Sequence, residues 1–263
     1  MTRRAWPVAP SLAALALLGG CDLVFGLSDP GSDAGTIDPG DGGGTDGSLD
    51  GGPPLTCFVE AFDVSPLSAA WNLYADPGCT SSGGIVPCSV SQADKQLAIH
   101  VNTLEGYASA SRPAVNFTGG VAEVEVMTTS PLQPGTNGYL QIALGAATGI
   151  RYQIEVDADR GAPLLAGVHV DGDNRREVFS ILFDPQAHRH WQLAQVVEDG
   201  LSTIAFSTRA SGTEPWTRRG AAAVTGSLSN VLTEVGAGRY EQPTGSGNQT
   251  YAFDNFSLCR TSP

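Results

Sequence analysis

Lysine is almost missing from this sequence: Lys95 is the one instance in 263 residues. Charge of either sign is sparse, at 16% of residues, and acids outnumber bases 27 to 14, for a formal net charge of −13. So little positive charge repels the phosphate backbone of nucleic acids and anionic lipid headgroups, which excludes nucleic-acid binding and electrostatic attachment to membranes. No segment sustains a helical period over a dozen residues, so a helical bundle is excluded. No solenoid or propeller period recurs along the chain. A Gly-x-Ser-x-Gly elbow, a His-Glu-x-x-His helix and paired Cys-x-x-Cys spacings are all missing, which leaves serine-hydrolase, zinc-protease and zinc-ribbon readings without support. What the chain does have is glycine, 33 residues, and a hydrophobic fraction of 41%, enough for a sizeable core. Low charge with abundant Gly, Ser and Thr fits an extracytoplasmic β protein.

The N-terminus carries an address. Arg3 and Arg4 precede an apolar stretch through Ser11–Leu18, which is too short to span a bilayer as a stable helix. Leu18-Gly19-Gly20-Cys21 follows and resembles the lipobox of bacterial lipoproteins. That resemblance implies a diacylglyceryl group on the Cys21 thiol and cleavage of a signal peptide, residues 1–20. Loss of Arg3 and Arg4 takes the net charge from −13 to −15. One acyl chain binds a membrane reversibly and two hold it stably, at about 0.8 kcal/mol per buried CH₂. The lipid bilayer is therefore an expected partner, through the acyl anchor. The expected location is the bacterial cell envelope, outside the cytoplasm, with membrane and leaflet left open.

Residues 28–54 are almost only Gly, Asp, Ser, Thr and Pro. Such a segment cannot offset its ordering entropy and reads as a disordered tether, so residues 21–54 form the lipidated cysteine and its spacer. Its aspartates lack the register and apolar positions of a calcium-binding repeat.

From 55 to 263 short alternating apolar runs recur between Gly, Pro, Asn and Asp clusters. Strands are expected at Gln96–Val101, Val121–Met127, Tyr139–Leu144, Tyr152–Val156, Leu165–Val170, Val178–Phe183, Trp191–Val196, Thr203–Thr208, Val231–Ala237 and Tyr251–Leu258. Many short strands at this spacing predict a single all-β domain, a two-sheet sandwich or barrel. With Cys21 used by lipid, Cys57, Cys79, Cys88 and Cys259 remain, and in an oxidising compartment they suggest two disulfides with three possible pairings. Cys79 and Cys88 bracket a Gly-Ser-rich loop. Cys57 and Cys259 sit at the two ends of the domain, and a sandwich with neighbouring terminal strands would bring them together.

A spaced set of residues then carries a family resemblance: Phe62-Asp63, Leu67, Trp71, Leu97-Ala98-Ile99, Phe117-Thr118-Gly119-Gly120-Val121, His190-Trp191-Gln192-Leu193, Ser207 to Trp216, and Phe253-Asp254-Asn255-Phe256-Ser257-Leu258. Together they resemble the concanavalin A-like lectin/glucanase superfamily, which includes the laminin G-like jelly rolls. The resemblance implies a two-sheet antiparallel jelly-roll sandwich that opens and closes with neighbouring strands. Its members include sugar-binding lectins, polysaccharide hydrolases and lyases, adhesion modules and catalytically silent domains.

Hydrolases of that superfamily use Glu-x-Asp-x-Glu, which sets two carboxylates about 5 Å apart on one strand face for a retaining mechanism. Glu123-Val124-Glu125 lacks the third acid. Glu155-Val156-Asp157-Ala158-Asp159 has three, but it ends in Asp, and Asp159-Arg160-Gly161 reads as a turn. Both read as polar strand faces, and no catalytic residue is assigned. Alternation offers a ligand-binding face instead. If the three strands involved share a sheet, Tyr139, Gln141, Arg151, Gln153, Glu155 and His169 are presented together. Amides, carboxylates and an aromatic ring suit a polysaccharide or other glycan. Trp71 and Trp191 read as core and Trp216 as partly exposed. Asp171-Gly172-Asp173-Asn174 offers alternating oxygens suited to calcium, yet Asp-Gly and Asp-Asn are hairpin residues, and a turn is the adopted reading of Asp171 and Asp173. No cofactor is expected, calcium apart. The expected function is a lipid-anchored, non-catalytic glycan-binding sandwich. The rivals are a divergent polysaccharide hydrolase or lyase and an adhesive envelope protein.

Overall fold

The computed structural model describes residues 55–77, 79, 87–102, 106–128, 131–145, 148–158, 162–239 and 248–261. These belong to one unit, Asp50–Pro263. The expected signal peptide, Cys21 and the expected tether lie outside the described residues. Fifteen strands are described: β1 (Leu55–Glu60), β2 (Asn72–Ala75), β3 (Ser89–Ala93), β4 (Gln96–Val101), β5 (Gly106–Val115), β6 (Val121–Thr128), β7 (Thr136–Leu144), β8 (Arg151–Asp157), β9 (Leu164–Asp171), β10 (Asn174–Leu182), β11 (His190–Glu198), β12 (Leu201–Arg209), β13 (Thr217–Ala223), β14 (Val231–Arg239) and β15 (Gln249–Thr261).

They form two antiparallel sheets. One runs β13-β12-β11-β6-β15-β4-β3, with β1 added against β15, and the other runs β10-β9-β8-β7-β14-β5-β2. Period-two patterning explains the layering. In β4, Leu97, Ile99 and Val101 are buried while Gln96, Ala98 and His100 are not. Leu140, Ile142 and Leu144 of β7 and Tyr152, Ile154 and Val156 of β8 meet Trp191, Leu193, Phe206, Tyr251 and Phe253 from the facing sheet in one core. Burial of each such apolar side chain contributes about 1.5–3 kcal/mol relative to leaving it exposed. Trp191 and Trp71 are core residues, 0% and 5% exposed. Trp216 is partly exposed under the Arg209 guanidinium, 4.1 Å from its ring centroid.

The first and last strands pair along their length, with Cys57 opposite Cys259, and these two cysteines are bonded. Cys79 and Cys88 form the second disulfide. All ten expected strands are present. The five not expected are β1, β2, β3, β5 and β13. Their sequences explain this: β5 buries only small residues, Gly106, Ala108, Ser109 and Ala110, and β13 is Arg- and Ala-rich. These strands form because neighbours pair with them, so tertiary context overrides weak local propensity.

Candidate functional site

The side of the seven-stranded sheet turned away from the core is set by register. Tyr139 pairs with Glu155, and Gln141 pairs with Gln153. Gly236 pairs with Tyr139, and Glu234 with Gln141. Ser109 and Tyr107 continue the same face on β5, and Tyr74 continues it on β2. Residues directly opposite share a sheet face, so Tyr139, Gln141, Arg151, Gln153 and Glu155 lie together, as alternation predicts. Within this group the exposures differ. Tyr139, Gln153 and Glu155 are buried, at 8%, 8% and 2%, and form the floor. Gln141 and Arg151 are partly exposed.

His169 is on the other side. It pairs with Tyr152, a core residue, and stacks on that ring at 4.6 Å with 3° between planes. The expectation that it joins the polar face is corrected. Leu165–Val170 is apolar in both registers, so the pattern does not fix its parity. Val168 and Val170 face outward instead and form a small buried cluster with Ala166 on the outer face.

Two carboxylates organise the face. Glu155 accepts from the Asn137 amide at 3.1 Å, from the Gln153 amide, and from the Arg175 guanidinium, with which it forms an ion pair. Burial nevertheless pushes the Glu155 carboxyl above the ordinary range, against the pull of Arg175 and Asn137. Glu234 accepts from the Tyr139 hydroxyl at 2.6 Å, and Ser109 and Gln141 also bond it. It too is raised by burial. The Tyr139 phenol is pushed well above its usual value by burial and by the Glu234 charge. Gly236 makes this arrangement possible, because a Cβ there would overlap the Tyr139 ring.

Beside this floor, Tyr74 and Tyr107 stack with centroids 4.8 Å apart and 21° between planes. They are 43% and 45% exposed, so the stacked pair reaches solvent. Burial, the Tyr74 contact and the charges of Glu234 and Asp76 push the Tyr107 phenol up to about 12. The pair forms an apolar platform beside the amides and carboxylates of the floor, which can stack a sugar ring and bond its hydroxyls.

Sequence reasoning missed Glu234, Asn137, Arg175, Tyr74 and Tyr107. Glu234 had a usable signal: a lone acid between Thr233 and Val235 in an apolar-alternating run. The two tyrosines had none, since their strands were not expected.

Other candidates resolve simply. Glu123 and Glu125 lie on the outer face of the eight-stranded sheet. Gln192 donates to Glu123 at 2.8 Å, while Arg189 and Asn255 hold Glu125. β8 ends at Asp157, and Asp159 lies outside the described residues. Asp171 and Asp173 are exposed at the β9–β10 turn, where Gly172 has φ +56° as the first central residue of a two-residue hairpin loop. Among the described residues no three His, Cys, Asp or Glu side chains gather closely enough to hold a metal ion.

No protein-family model and no curated protein sequence matches the chain. Solved structures do. A non-specific endo-β-1,3(4)-glucanase of family GH16 superposes with a TM-score of 0.56 at 10% identity, over 80% of this chain and 93% of its own. The CBM2 module of the evolved Dit of Lactobacillus casei BL23 phage J-1 gives 0.50 at 12%, over 79% and 96%. An immunostimulatory antigen and pseudo β-1,3-glucanase of Mycobacterium tuberculosis gives 0.50 at 14%, over 81% and 100%. The fold is a two-sheet jelly-roll sandwich like theirs, consistent with a concanavalin A-like fold. At these identities the likeness of this jelly roll to its neighbours is one of fold alone.

Proposed function

We propose that this jelly roll binds a glycan on the outer face of its seven-stranded sheet without cleaving it, with the Tyr74–Tyr107 pair as the stacking platform. The observation that carries the reading is the state of the two carboxylates. Glu155 is 2% exposed and filled by Arg175, Asn137 and Gln153. Glu234 is occupied by Tyr139, Ser109 and Gln141. A retaining glycosidase needs an ionised carboxylate free to attack the sugar and a second free to give a proton to the leaving oxygen. Groups so satisfied orient a platform better than they attack a bond. The fold neighbours that act on β-glucans support a glycan as ligand class, and one of them is itself described as a pseudo-enzyme.

A divergent hydrolase is the second reading. Its supporting observation is that burial raises both Glu155 and Glu234, the direction a general acid requires. The test is calorimetric titration of the full chain with soluble β-glucans, with Tyr74→Ala and Tyr107→Ala alongside. Weakening of at least tenfold in either variant, about 1.4 kcal/mol, supports the platform. Undiminished affinity in both rejects it.

The display of this domain on an acyl anchor at Cys21, outside the cytoplasm, is part of the same proposal. Two disulfides support an oxidising compartment. Metabolic labelling with a fatty-acid analogue checks it: label present in the native chain and lost in Cys21→Ser supports the anchor, and an unlabelled native chain refutes it.

A further inference from the structure

Away from the platform, the two sheets meet at one side through their last strands, β10 and β13. Val178 of β10 packs against Gly220 of β13 there, so the edges touch without hydrogen-bonding into one sheet. Beside that contact is a cavity of about 260 Å³ lined by His169, Arg176, Val178, Ala221, Ala222, Ala223 and Thr225. Its volume lies just below the roughly 300–1,000 Å³ of drug-sized sites, so it suits a small molecule.

The polar groups converging on it follow from strand geometry. Val224 N–H donates to Ser202 at 2.9 Å, so residue 224 is turned toward β12. In an antiparallel pair, N–H and C=O of alternate residues point to opposite sides. Residues 221 and 223 therefore point outward, past the end of the sheet. Ala223 C=O confirms this, since it accepts from the Tyr152 hydroxyl at 2.9 Å, a group outside β12. That same hydroxyl accepts from Thr225 N–H at 3.0 Å. The Ala221 N–H thus faces the cavity from a strand that has no further neighbour.

Across from it, Arg176 pairs with His169 in the β9–β10 ladder. Among the described residues Arg176 has no hydrogen-bond or ion-pair partner. His169 is fixed by its stack on Tyr152 and by Thr225 Oγ1 at 3.4 Å from Nε2. Burial lowers its affinity for a proton, the Arg176 charge adds to this, and Asp171 opposes it.

We infer that this cavity is a second binding site, for a small organic carboxylate, with the Arg176 guanidinium and the Ala221 N–H as donors to the two carboxylate oxygens. A guanidinium fork matches a carboxylate in geometry and is not lost to deprotonation. One cation, one backbone donor and a neutral imidazole suit a single negative charge. A dianion such as phosphate would meet the repulsion of a chain with net charge −13. The carboxylate could come from a free small acid or from a uronic acid residue of a glycan.

The experiment titrates the full chain, with both disulfides formed, with acetate, glucuronate and glucose. Calorimetry and the ring resonances of His169 in ¹H–¹⁵N spectra report binding. Acetate and glucuronate are expected to shift His169, and glucose is not. Equal affinity for acetate and glucuronate assigns recognition to the carboxylate alone, and tighter glucuronate binding adds the sugar ring; both support the site. Arg176→Gln is expected to weaken binding at least tenfold. Arg260→Gln, which removes an equal charge at an exposed site elsewhere, is expected to leave it unchanged. Unmoved His169 resonances at saturating carboxylate, equal affinity in Arg176→Gln, or glucose binding as well as glucuronate would overturn the inference.

Discussion

Consider replacing Cys57 and Cys259 together by alanine. The bond spans 202 residues, so in the unfolded chain it closes nearly the whole domain into one loop. Loop-closure entropy, −2.1 − 1.5R ln n cal/mol/K, gives about 5 kcal/mol at 25 °C for n near 200. The same expression for Cys79–Cys88, separated by nine residues, gives about 2.6 kcal/mol. A domain of this size has a total stability of about 5–15 kcal/mol, so the first loss threatens folding and the second does not. The perturbation is also local, because β1 pairs with β15 alone and that bond staples them at mid-strand. The assay is urea unfolding followed by tryptophan fluorescence, since Trp71 and Trp191 are buried. The expected order is native, then Cys79→Ala/Cys88→Ala, then Cys57→Ala/Cys259→Ala, with a gap of about 2.7 kcal/mol between the two variants. Equal losses in the two variants, or a loss below about 1 kcal/mol for the long bridge, would refute the loop-length reasoning.

Two further outcomes concern the candidate site. Gly236→Ala puts a methyl into the Tyr139 ring, so it should cost about 1–3 kcal/mol by overpacking and weaken glycan affinity, read by urea unfolding and calorimetry. Glu234→Gln addresses pH. Burial raises the folded-state pKa of Glu234 above its ordinary value of 4.5, so its contribution to stability is full below 4.5 and is lost as pH rises through the folded value. The glutamine variant should therefore gain on the native protein as pH increases from 4.5, by Tm across a pH series, and a variant that loses ground to the native protein as pH rises would contradict the sign.

The sheet strands with wide hydrophobic contrast were legible from alternation alone. β4 and the Leu140–Leu144 part of β7 read correctly because each inner position there is Leu, Ile or Val and the outer ones are small or polar. β9 was legible as a strand and illegible in parity, since Leu165, Val168 and Val170 supply apolar groups to both faces. Pairing of His169 with Tyr152 settled it, and that is a contact of tertiary structure, absent from any local window. The terminal disulfide was legible because cysteines at both ends of a sandwich are neighbours once its first and last strands pair. The tyrosine platform was not, because Tyr74 and Tyr107 lie on β2 and β5, which have little apolar contrast of their own and are ordered by pairing with each other and with β14. Burial of Glu155 was hidden for a related reason: Arg175, 20 residues away, supplies the counter-charge.

The most direct measurement incubates the folded, disulfide-bonded chain with a panel of soluble polysaccharides, with calcium and with chelator, and reads binding and new reducing ends in the same samples. Saturable, competable binding to one glycan class with no new reducing ends is the result expected of a non-catalytic sugar-binding face. New reducing ends that disappear in Glu155→Gln would contradict it and establish a hydrolase, and no binding to any glycan in the panel would remove the sugar-binding face altogether.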